Sequence, residues 1–223
     1  MNKMILYKEW LKTRWLLLGI AVSMAALTFY CFLNLSKVVQ IRGAELLWEA
    51  LVTKDTVLTE ILRLVPAICG AVLALSQWIP EIVHKRLKLT LHLPYPQSGM
   101  LLWMAGYGLV ALTLLFALQG AVSAWALSAW VPAELVVRVL RTMAVWYLAG
   151  WAAYLFTGAL CLEPTWRYRI VVFVVAAGLL RLLFLSAVPE AYNGFFPWLL
   201  LYVLAAGGLL FAGVARFKEG LQD

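Results

Sequence analysis

Uncharged apolar stretches of membrane length recur along this chain, and no other feature restricts its fold as strongly. Inside hydrocarbon a backbone N–H finds no water to bond, so such stretches must satisfy themselves as helices or closed barrels. Runs of roughly 20 apolar residues without strand-like alternation select the helix. Six runs qualify: 15–35, 57–79, 100–125, 142–162, 170–188 and 198–215. With 65% hydrophobic and 13% charged residues and a mean hydropathy of +0.90, the 223-residue chain is too apolar for a water-soluble globule. The expected architecture is an all-α polytopic membrane protein, a single domain of six transmembrane helices. The first run is uncharged from Trp15 to Ser36 and too long for a signal-peptide core, so the mature chain is read as beginning at Met1.

Charge sets the orientation. Most of the 18 basic residues, among them Lys3, Lys8, Lys12, Arg14, Lys85, Arg86, Lys88, Arg167, Arg169, Arg216 and Lys218, flank the runs on one side. On the other side Glu45, Glu49, Asp55, Glu60, Glu134 and Glu190 offset Lys37, Arg42, Lys54, Arg63, Arg138 and Arg141. The positive-inside rule then places both termini and the 81–97 segment in the cytoplasm, in a multi-pass membrane protein. The net charge of +7 is explained by basic residues meeting anionic membrane lipids, and nucleic acid is not expected as a partner.

Two amphipathic segments flank the early spans. Residues 1–14 carry Met4, Tyr7 and Leu11 at helical spacing with Lys8 and Lys12 on another face, which reads either as an interfacial helix or as a flank of the first span. Beyond that span, Glu45, Glu49, Thr53, Thr56 and Glu60 form a polar stripe, capped by Asp55 or Thr56 where the second span begins. The stripe reads as a surface-lying helix or as the wall of a substrate path, in which Glu60 is the candidate residue.

Catalytic chemistry is not expected. No span holds a histidine, paired carboxylates or a His-Glu-x-x-His pattern, and the serines have no evident base. None of the 15 glycines is followed by lysine, which excludes a phosphate loop, so this chain is read as neither an enzyme nor a holder of any cofactor or metal. Cys31, Cys69 and Cys161 read as small buried hydrophobes. Arg181 stands out as a charge about 18 Å of helix beyond Arg169. It is expected either to snorkel outward, to pair with Glu190 or Glu60, or to attract an anionic group along a substrate path.

The most distinctive segment is 81–97, which packs Lys85, Arg86 and Lys88 with Leu87, Leu89, Leu91 and Leu93 and contains both histidines, His84 and His92. A short helix that ends before Pro94 satisfies its backbone better than a lone strand. With Glu81, the basic cluster, Leu91, Leu93 and Pro94, and with the opening Tyr7-Lys8-Glu9-Trp10-Leu11-Lys12-Thr13-Arg14, the chain resembles the type-2 class of ABC exporter permeases. Lys85 and Arg86 stand where that family commonly has Gly-Thr. The resemblance implies a six-span permease subunit with an N-terminal interfacial helix and a cytoplasmic coupling helix between spans two and three. It further implies a second permease subunit, identical or not, and a pair of separate ATPase subunits that bind ATP and Mg. Glu81, His84, Lys85, Arg86, Leu87, Leu91, Leu93 and Pro94 would form the ATPase contact. The alternative function is a non-catalytic assembly or anchoring protein that presents this basic segment to a partner.

Overall fold

The computed structural model describes residues 2–42, 59–83, 97–186 and 188–218, and every regular element among them is helical. α1 spans Asn2–Arg42, a short 3-10 turn covers Glu60–Leu62, and α2 spans Val65–Val83. α3 (Gln97–Leu127), α4 (Ala133–Leu162) and α5 (Trp166–Leu183) follow, and the chain closes with α6 (Phe196–Ala206) and α7 (Gly208–Lys218).

Proline and glycine set most of these boundaries. Pro132 leads into α4, and Pro164 forces the preceding Glu163 out of the helix to φ −73°, ψ 117°, ending α4 and freeing Thr165 to start α5. Pro197 sits in the first turn of α6, where its missing N–H costs nothing. In α1 only Gly19 weakens the helix, and no proline interrupts it, so it runs unbroken for 41 residues, about 60 Å.

Among the described residues, five helical stretches are long and apolar enough to cross a membrane: Lys3–Ile41, Glu60–Val83, Ser98–Leu127, Ala133–Leu162 and Phe196–Arg216. Of the two readings of the 1–14 segment, the flank of the first span is the one that fits, because residues 2–14 form the first turns of α1 rather than a separate interfacial helix. The span expected over 170–188 becomes α5, which starts four residues earlier behind Pro164, carries Arg167, Arg169 and Arg181, and falls outside the five. Its far end is closed from a distance: the Tyr192 hydroxyl donates to the Leu182 carbonyl (2.8 Å) and accepts from the Ser186 N–H (3.0 Å). The last stretch is interrupted at Gly207, between α6 and α7.

α4 is the centre of the bundle. It packs against α2, α3, α5, α6 and α7, and 72% of its most apolar stretch is buried, against 28% for α3. Its closest partner is α2, where a β-carbon on Gly70 would overlap the Gly150 carbonyl oxygen. Ala149 and Ala153 lie buried beside this crossing, as small residues at a close helix contact do. α1 packs along α3 and against α2, and leaves Leu18, Val22 and Phe29 exposed. Exposed apolar faces of this size suit lipid or a partner helix rather than water.

Candidate functional site

The end of the bundle that carries the N-terminus holds two clusters of buried charge. In the first, Glu9 of α1 and Glu81 of α2 have no solvent-exposed side-chain surface. Lys12 Nζ lies 2.8 Å from Glu9 Oε2 and 3.0 Å from Glu81 Oε1, and Lys8 Nζ lies 2.9 Å from the same Glu81 oxygen. Helical spacing produces this: residues 8, 9 and 12 cluster on one side of α1, and Glu81 enters from the last turn of α2, directly after Pro80. Two ammonium groups balance two carboxylates, so a buried cluster of no net charge fastens α1 to α2.

Thr13 continues the polar line. Its hydroxyl donates to the Glu9 carbonyl (2.8 Å), which leaves the Tyr107 hydroxyl of α3 to donate to Thr13 Oγ1 (2.7 Å). Farther in, the Tyr154 hydroxyl of α4 donates to Gln77 Oε1, and Gln77 Nε2 donates to the Met104 carbonyl, both at 2.7 Å. Buried polar groups thereby tie α1 to α3, and α2 to both α3 and α4, close to the root of the 84–96 segment.

The second cluster lies where α4, α5 and α7 meet. Glu163 is almost fully buried and accepts a two-pronged contact from Arg216, Nε to Oε1 at 2.9 Å and Nη2 to Oε2 at 2.6 Å. The Thr165 hydroxyl donates to the same carboxylate (3.1 Å), and Arg169 donates to the Glu163 carbonyl (2.6 Å).

Of the expected site residues, Glu81 stands at the heart of the first cluster. His84, Lys85, Arg86, Leu87, Leu91, Leu93 and Pro94 lie outside the described residues, as does the stripe through Glu45, Glu49, Thr53 and Thr56. Glu60 lies at the opposite end, mostly exposed, with Arg63 Nη1 at 3.6 Å. Arg63 also donates to the Phe184 carbonyl and lies over the Phe184 ring, binding the turn before α2 to the end of α5. Arg181 is exposed in the last turn of α5, and among the described residues no carboxylate lies within ion-pair distance of it. Glu190 pairs instead with Arg141 (3.2 Å) and Arg138 (3.8 Å) of α4. The structure therefore does not join Arg181 to Glu60 or Glu190. Among the described residues no three His, Cys, Asp or Glu side chains gather as a metal site.

Glu9 is a site residue that the sequence pattern did not single out. The available signal was an acid three residues before Lys12 in an otherwise basic stretch, the spacing of a helical ion pair. Both carboxylates of the first cluster face ammonium groups and have no solvent-exposed side-chain surface, so the arrangement fastens α1 to α2. No family model, curated protein or solved structure matches the chain.

Proposed function

We propose that the chain is the permease subunit of an ATP-driven exporter of the ABC type-2 class, in a bacterial cytoplasmic membrane with both termini inside. A second permease subunit completes the translocation unit, and a pair of separate ATPase subunits supplies ATP hydrolysis. α5, about 27 Å long at its 18 residues, serves as the sixth crossing. An unidentified substrate moves outward.

One observation supports this reading most: Glu81, the first residue of the segment assigned to the ATPase contact, is buried and held by Lys8 and Lys12 of α1. A segment that only decorates a membrane surface needs no such root. A segment that transmits force does, because a push from a partner reaches the spans only through a rigid joint.

The test is co-expression with a candidate ABC ATPase subunit. Leu87→Asp combined with Leu91→Asp should abolish co-purification and stimulated ATP hydrolysis while the bundle stays folded. Unchanged co-purification would sink the proposal. Topology is tested separately in a cysteine-free background, where external labelling should reach Leu47→Cys and spare His84→Cys and Trp166→Cys.

A further inference from the structure

A groove between α1 and α3 runs much of the length of the bundle and divides into two halves. The half toward the N-terminal end encloses about 650 Å³ and the other about 700 Å³, and they share Ala21, Leu115 and Leu118. On α1 the first half extends from Trp10 to Ala21, about 17 Å of helix, which is close to one leaflet of a roughly 30 Å hydrocarbon layer. Its walls are apolar and lie open to the side, with Leu18 and Leu114 both mostly exposed.

The two halves differ in charge. At the mouth of the first stands Arg14, its guanidinium over the Trp15 ring at 5.4 Å, with Trp10 beside it. Lys8 and Lys12 are neutralised by Glu9 and Glu81, whereas no carboxylate among the described residues lies within ion-pair distance of Arg14. The second half ends at Trp125, Ser128 and Trp130 and is lined by no charged residue.

We infer that the first half of the groove is a binding site for one anionic membrane lipid, its acyl chain between α1 and α3 and its phosphate on Arg14. The cation at the mouth selects the head group, the indoles hold the interface, and the one-leaflet depth fits the chain. The site does not depend on an ATPase.

Native mass spectrometry of the purified full chain in equimolar phosphatidylglycerol and phosphatidylethanolamine of matched chains tests this. The wild type should retain phosphatidylglycerol preferentially. Arg14→Gln should cut that preference about fivefold, the gain expected from one basic residue at a membrane surface. Arg14→Lys should keep most of it, and Arg167→Gln, an exposed arginine outside the groove, should leave it unchanged. Val110→Trp, at an exposed lining position, should reduce retention of both lipids by filling the groove. An unchanged preference in Arg14→Gln, or an equal loss in Arg167→Gln, would overturn the assignment. So would oxidative dimerisation of Leu114→Cys in membranes with no lipid retained, since a second copy would then fill the groove.

Discussion

Lys12 reaches Glu81 across 69 positions of sequence, 3.0 Å from ammonium nitrogen to carboxylate oxygen, and so joins the first turns of α1 to the last turn of α2. Burial decides what this contact contributes. Removing Glu81 alone leaves Lys8 and Lys12 facing only Glu9, so Glu81→Ala should destabilise the bundle by about 3 kcal/mol in thermal or SDS unfolding. Removing both partners leaves no such imbalance. Lys12→Met with Glu81→Met should therefore lose less than either single change, and a double variant weaker than both would contradict the account.

At the crossing of α2 and α4, two effects oppose each other when a glycine is replaced. Alanine raises helix propensity by about 1 kcal/mol. At Gly150 its β-carbon would lie 2.6 Å from the Phe116 ring and 2.8 Å from the Pro66 carbonyl oxygen, and relieving overlap with backbone costs about 1–3 kcal/mol. Gly150→Ala should lower the unfolding midpoint. In α5, a β-carbon added at Gly178 would meet nothing within 4 Å, so Gly178→Ala should leave the midpoint unchanged or raise it.

The apolar runs are legible because hydrocarbon thickness imposes a length on them, and α3 and α4 contain the runs expected at 100–125 and 142–162. The N-terminal fastening is not. Lys8 and Lys12 form a polar face that periodicity alone assigns to lipid head groups, while their partner Glu81 lies on another helix. Hydropathy starts the 170–188 run after Arg169 because arginines count against a span. The helix begins where Pro164 permits, and Arg169 finds a partner nearby in the Glu163 carbonyl. Ala149 and Ala153 mark a small-residue face on α4, but the tightest approach falls on the intervening Gly150, and nothing in the pattern tells which small residue faces a backbone.

Glu190 has φ 61°, the left-handed region in which a residue with a β-carbon is strained, and its N–H donates to the Thr142 hydroxyl at 3.3 Å. Its ion pairs with Arg138 and Arg141 are partly exposed and contribute little, about 0–1 kcal/mol. Glycine relieves the strain and loses the pairs, so Glu190→Gly should shift stability by less than about 1 kcal/mol. Glu190→Val adds β-branching at positive φ and should cost about 2 kcal/mol. Equal effects of the two variants in thermal unfolding would show that the backbone is not held in this conformation.

Deep between α2, α3 and α4, Tyr154 and Gln77 are both fully buried, and the single hydroxyl of Tyr154 supplies the donor to Gln77 Oε1. Tyr154→Phe keeps the ring packing and strands that oxygen without its donor, at a cost of about 1–3 kcal/mol. Gln77→Leu removes the acceptor but also abandons the Met104 carbonyl, which Gln77 Nε2 now bonds. That carbonyl keeps its helical position, and a carbonyl tolerates a missing second partner better than a buried amide tolerates losing its first. Combining Tyr154→Phe with Gln77→Leu should therefore recover part of the loss, with unfolding midpoints ordered wild type, double variant, Tyr154→Phe. A Tyr154→Phe protein as stable as wild type would mean that the hydroxyl adds nothing to the joint between α2 and α4, and packing alone holds the two helices together.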